Sequence, residues 1–146
     1  MNNLSALLLA FTAGVLMSIQ PLINAKLGKR TGIFESALIS FLVGTAALVL
    51  IILFFGQGSL EAARGAPWYY FTGGLIGVYV VTTMIVVIPQ VGSGIGMIAV
   101  LTGQMVLATF IDYFGLLGVP AIAIGPNRII GLILLFVSMR LIVGKI

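Results

Sequence analysis

Apolar side chains fill five long segments of the chain, and polar residues are concentrated in the short stretches between them. Each segment has close to the roughly 20 residues that an α-helix needs to cross the hydrocarbon core of a bilayer. The period-two alternation of a membrane β-strand is absent, and such strands would be much shorter. The sequence therefore predicts an all-α integral membrane protein, with residues 1–146 forming a single transmembrane domain. Its five transmembrane helices are expected at about 4–23, 34–55, 68–88, 95–114 and 127–143.

Composition supports a membrane environment and narrows the possible chemistry. Of the 146 residues, 61% are hydrophobic and 7% are charged, whereas a soluble domain has about 25% charged residues. Cysteine and histidine are absent, so the usual thiolate, zinc and haem sites are not expected. Asp112 stands alone and cannot form a paired-carboxylate site. We therefore expect no enzymatic activity, no cofactor, no metal site and no nucleic-acid partner.

Two amides lie near the end of the first apolar segment. Gln20 and Asn24 are four residues apart, so they share one face of a helix. Pro21 lies between them and is expected to bend or loosen the helix there. Amides at membrane depth either hydrogen-bond to neighbouring helices or face a substrate. The sequence leaves both interpretations open.

The stretch 92–118 carries an amide and a carboxylate in an otherwise apolar helix. Gln104 and Asp112 lie about 12 Å apart along that helix at roughly 1.5 Å per residue. They are therefore candidates for the middle and the entrance of one substrate path through the membrane. Because a low dielectric favours the protonated carboxyl group, Asp112 is the candidate for proton coupling. The structural alternative is that Asp112 caps a helix end or pairs with Arg128 or Arg140.

The distribution of cations predicts a weakly biased topology. Five spans place the two termini on opposite sides of the membrane, and the side richer in Lys and Arg is expected to be cytoplasmic. The richer side has Lys26, Lys29, Arg30 and Lys145, together with Arg140 if its side chain extends to the interface, and the other side has Arg64 and Arg128. This predicts an outside N-terminus, with a bias small enough for insertion in both orientations. Since transporters often combine inverted halves, we expect an antiparallel dimer of ten helices.

Four groups of residues carry a family resemblance: Gly14…Gln20…Asn24-Ala25…Leu27; Ala37…Ser40-Phe41…Gly44; Gly73-Gly74…Gly77; and Gly103-Gln104…Ile111-Asp112-Tyr113-Phe114-Gly115…Gly118. They resemble the small YdcZ-type proteins of the drug/metabolite transporter superfamily. The resemblance implies five-helix units of dual or opposite topology in the bacterial inner membrane, and export of small metabolites or drugs. Many relatives have His where this chain has Tyr113, so a proton role does not carry over to that position. The four-helix multidrug relatives use a first-helix glutamate, which this chain lacks.

The leading hypothesis is a secondary transporter that exports a small metabolite or drug by alternating access. Its predicted substrate-binding residues are Gln20, Asn24 and Gln104, with Asp112 as the proton-coupling carboxylate. The expected partners are the lipid bilayer, a small-molecule substrate, and a second copy or an oppositely oriented homologue. Two other classes stay open: a small passive ion channel lined by the same amides, and a non-transporting membrane assembly subunit.

Overall fold

The computed structural model describes residues 2–144, and these residues contain five long α-helices and no β-strand. The helices are α1 (Asn3–Thr31), α2 (Ile33–Phe55), α3 (Thr72–Val91), α4 (Ser93–Phe114) and α5 (Pro126–Val143). A 3-10 turn over Trp68–Phe71 leads directly into α3. All five segments, with this turn counted with α3, are long and apolar enough to cross a membrane. The prediction of an all-α chain with five candidate spans is confirmed.

The first helix is longer than its apolar segment. α1 remains α-helical through Pro21 and ends at Thr31. The sequence also favours a basic turn at Lys26, Lys29 and Arg30 after the predicted span, but these residues lie on the last turns of α1, so that interpretation is wrong. Lys and Arg are good helix formers, so the helix continues where the hydropathy falls.

Single glycines separate two pairs of consecutive helices. Gly32 lies between α1 and α2 with a φ of 109°, and Gly92 lies between α3 and α4 with a φ of 85°. Residues with a Cβ are strained at such angles, so these two tight connections favour glycine. The third helix also passes Pro89 before it ends at Val91, so its predicted end at residue 88 was too early.

Residues up to Gln90 form a compact N-terminal unit, in which α2 packs closely on α1 and α3 meets these two helices through side chains. Ser36 of α2 donates a hydrogen bond from Oγ to the backbone carbonyl of Asn24 at 2.8 Å, and both residues are buried. On α1, a Cβ added at Gly28 would lie 2.9 Å from the Ile85 side chain of α3. Tight contact at this end of the helices therefore depends on the absence of larger side chains.

Gly73 and Gly77 lie four residues apart on one face of α3, and one of them contacts a neighbouring helix. Phe41 of α2 packs over Gly77, where an added Cβ would lie 3.3 Å from the aromatic ring. A Cβ at Gly73 would meet no atom within 4 Å. Within the N-terminal unit, Gly77 thus provides a helix contact, whereas the position of Gly73 is open.

Residues from Val91 onward form a second, C-terminal unit, built from α4, α5 and the connection between them. This connection starts with a short 3-10 turn over Leu116–Gly118 and continues as extended chain to α5. The backbone N–H of Ile122 donates to the carbonyl of Asp112 at 2.8 Å. The connection is therefore folded back onto the end of α4.

Candidate functional site

A groove of about 250 Å³ lies between the helices of the N-terminal unit. Its lining residues are Gln20, Ser40, Phe41, Gly44, Thr45, Leu48 and Val81. Gly44 is the central residue of α2, with 11 residues between it and either end, Ile33 or Phe55, counting the end residue. That distance corresponds to about 16 Å of helix on each side. When α2 spans the membrane, the groove therefore lies near the bilayer midplane, where transporter sites are commonly found.

Three polar side chains line this midplane groove and are free of intramolecular hydrogen bonds. Within residues 2–144, the Gln20 amide and the Ser40 and Thr45 hydroxyls have no hydrogen-bond partner. Many other helical hydroxyls bond their own backbone, whereas Thr83 of α3 and Ser138 of α5 share the unpaired state of Ser40 and Thr45 in the described part of the chain. The hydroxyls that donate to a carbonyl three or four residues earlier include Thr12, Ser18, Thr82, Thr102 and Thr109. The groove thus offers unused donors and acceptors at a depth where unpaired polar groups cost free energy.

Gly44 lines the groove without adding a side chain to it. A Cβ placed at Gly44 would meet no atom within 4 Å. The remaining wall is apolar and includes Phe41, Leu48 and Val81. This arrangement combines an uncharged hydrogen-bonding edge with an apolar surface, as ligand sites often do.

Asn24 lies one helical turn beyond Gln20 and is 5% exposed. Its backbone carbonyl accepts the Ser36 hydroxyl, whereas its side-chain amide has no hydrogen-bond partner in the described part of the chain. Ser36 in turn precedes Ser40 by one turn of α2. The hydrogen bond between α1 and α2 therefore uses the backbone of Asn24. The side-chain amides of Gln20 and Asn24 remain free to bond a solute.

Ser40, Gly44 and Thr45 are groove residues that were not among the predicted site residues. A signal was present, because these small or polar residues lie at the centre of an otherwise apolar helix with spacings of four and one. Ser and Thr are nevertheless common at helix contacts in membranes. Only the structure distinguishes hydroxyls that bond their own helix from those that do not.

The other two predicted residues, Gln104 and Asp112, lie on α4 in the C-terminal unit. They are eight residues apart, which places them about 80° apart around a helix with roughly 3.6 residues per turn. Gln104 is exposed. A mostly apolar groove of about 630 Å³ between α4 and α5 is lined by other residues: Ala99, Thr102, Gly103, Val106, Leu107, Phe110, Phe136 and Met139.

Asp112 lies in the last turn of α4 and forms a salt bridge with Arg128 in the first turn of α5. The Asp112 and Arg128 side chains are 30% and 26% exposed. This pairing is one of the structural alternatives for Asp112. Arg140 instead donates to the backbone carbonyl of Gly144. Because the backbone carbonyl of Asp112 also accepts the N–H of Ile122, one residue fixes both the connection and the start of α5.

Five candidate spans with an uncharged polar groove at mid-helix define a multi-pass integral membrane protein. Over residues 5–141 the chain matches the family model described as "Putative inner membrane exporter, YdcZ". The chain therefore belongs to this family, and it is a multi-pass protein of the inner membrane, as the resemblance implied. Comparison with curated proteins and with solved structures returned no match.

Proposed function

We propose that the protein exports a small molecule across the inner membrane by alternating access, with the midplane groove as part of the substrate site. The observation that carries this proposal is the set of unpaired side chains of Gln20, Ser40 and Thr45 at mid-helix. Lipid cannot hydrogen-bond these groups, whereas a passing solute can. The family description supports export as the activity.

The proposed working unit is an antiparallel homodimer, or a pair with an oppositely oriented homologue. Inverted halves give a carrier two equivalent states that open to opposite sides. Open small-residue positions support the pairing, since a Cβ at Gly14 or Gly73 would meet no atom of this chain within 4 Å. In this unit, Asn24 and Gln104 are the further substrate-contacting amides.

Asp112 is the proposed coupling carboxylate. A proton and the Arg128 guanidinium compete for the same carboxylate, so protonation would break the salt bridge that joins α4 to α5. Proton uptake would thereby release the start of α5 and connect proton entry to the movement that exports the substrate.

The test is release from proteoliposomes that contain the purified protein and a ¹³C-labelled extract of small bacterial metabolites. We expect a defined subset of compounds to leave faster than from protein-free liposomes, with a rate that saturates with concentration. Fast, non-saturating ion flux would instead indicate a channel. Absence of release for every compound would contradict export by this chain alone.

A further inference from the structure

We infer that the midplane groove binds an uncharged, hydrogen-bonding group of the exported molecule, and that Ser40 and Thr45 select it together with Gln20. The inference rests on the proposed function and adds the chemical class of the group that enters the groove. An amide and two hydroxyls each offer both a donor and an acceptor. A hydroxyl, a carbonyl or a neutral amide on the solute can satisfy them.

Charge is the property that the groove does not accommodate. None of its seven lining residues is titratable. In the described part of the chain, Glu61 pairs with Arg64 and Asp112 pairs with Arg128. Glu35 lies in the first turn of α2, at the end of the helix and away from its centre. A charged group at the bilayer midplane needs a partner of opposite charge, and this groove supplies none.

The size and the apolar wall of the groove restrict the group further. A volume of about 250 Å³ is slightly below the range of roughly 300–1,000 Å³ for pockets that hold drug-sized ligands. Phe41, Leu48 and Val81 form the apolar side. The group that fits is therefore small, and it combines polar atoms that bond Gln20, Ser40 or Thr45 with an apolar part that contacts the apolar lining residues.

The test measures which reagents reach a thiol in the groove, and the chain suits it because it has no native cysteine. Four single-cysteine variants are needed: Thr45→Cys and Ser40→Cys in the groove, Ala46→Cys at the same depth but outside the groove lining, and Ser59→Cys in the loop after α2. Each purified variant is treated with neutral, cationic and anionic methanethiosulfonates of similar size. Rates are divided by those of Ser59→Cys, which corrects for the intrinsic reactivity of each reagent.

We expect the neutral reagent to modify Thr45→Cys faster than Ala46→Cys, and each charged reagent to be slower than the neutral one at Thr45→Cys by about tenfold or more. Ser40→Cys should show the same selectivity. Agreement between the two positions would show that the result does not come from a local change caused by the cysteine at residue 45. A smaller penalty for either charged reagent would overturn the inference. Equal rates at Thr45→Cys and Ala46→Cys would also overturn it, because the groove would then be closed or filled by a second copy.

Failure of this inference is distinguishable from failure of the proposed function. Reagent selectivity is measured without any transport assay, and metabolite release is measured without any assumption about charge. If charged metabolites were released and charged reagents reached the groove freely, the proposal of an exporter would be supported. The inference that the groove binds an uncharged group would be wrong.

Discussion

Gly44 lines the proposed site, and the space at its Cβ position is free of protein atoms within 4 Å. We predict that Gly44→Leu fills the groove and lowers metabolite release to the level of protein-free liposomes. The added atoms meet no protein atom at the Cβ position, so the fold should tolerate the change. Replacing a helical glycine by leucine also favours the helix by up to about 1 kcal/mol. Release and thermal unfolding of the same sample are the two measurements.

Gly74→Leu is the matched control for this substitution. A Cβ at Gly74 also meets no atom within 4 Å, and Gly74 is not among the residues that line the groove. Release should therefore stay close to that of the unmodified protein. Equal loss of release in both variants would argue against the groove as the substrate site.

The salt bridge between Asp112 and Arg128 permits a test that separates coupling from structure. We predict that Asp112→Asn lowers the unfolding free energy by about 1 kcal/mol, because it leaves the partly buried Arg128 guanidinium without its counter-charge. It should also abolish the stimulation of release by an imposed pH gradient, because the carboxamide cannot take up the proton. Release without a pH gradient should persist. Proteoliposome assays with and without the gradient measure this difference.

The double variant Asp112→Asn, Arg128→Gln is the control, because it removes both charges and leaves no unpaired cation. If Asp112 is only structural, the double variant should recover both stability and the response to pH. If Asp112 couples transport to protons, stability should recover and the response should stay absent. Unchanged pH stimulation in Asp112→Asn alone would exclude a coupling role.

At the level of helices, contact between α1 and α3 depends on Gly28. We predict that Gly28→Ala destabilises the protein by about 1–3 kcal/mol, as overpacking does in other cores, because its Cβ would lie 2.9 Å from the buried Ile85. Gly131→Ala, in the interior of α5, meets no atom within 4 Å and should be neutral or slightly stabilising. Thermal unfolding in detergent measures both, and equal melting temperatures would refute the predicted contact.

Hydropathy predicted the spans well but not the ends of the helices. A run of about 20 apolar residues is sufficient evidence for a membrane helix, and all five were found. Hydropathy, however, marks where the hydrocarbon ends and not where the backbone stops being helical. Lys26, Lys29 and Arg30 are therefore helical, and α3 also continues through Pro89.

The candidate site could be predicted only in part. Gln20 could be predicted as a site residue from the sequence, because an amide in an apolar helix is unusual. Ser40 and Thr45 could not be predicted as site residues, because the sequence cannot show whether a hydroxyl donates a hydrogen bond to its own helix backbone. Asp112 had two possible arginine partners, and the choice of Arg128 over Arg140 depends on how the connection after α4 folds back. Local pattern reveals an unusual residue, whereas its partner is set by tertiary structure.

For the whole molecule, the decisive property is orientation in the membrane. We predict that the protein inserts both ways, because its excess of cations on one side is small. Asn3→Cys and Gln57→Cys flank the first two spans on one side, and Gln90→Cys lies at the end of α3 on the other side. With an impermeant thiol reagent, each position should be labelled in part in intact cells and completely after permeabilisation.

The strongest test of dual insertion is to change the cations that set the orientation of the protein. Lys26 and Lys29 extend α1 directly beyond its apolar segment, within the distance over which cations set topology. Replacing both by alanine should shift labelling at Asn3→Cys and Gln90→Cys in opposite directions, since the two positions mark opposite sides. Complete labelling of Asn3→Cys and none of Gln90→Cys in intact cells would establish one fixed orientation. An antiparallel homodimer would then be impossible, and the inverted half would have to come from an oppositely oriented homologue.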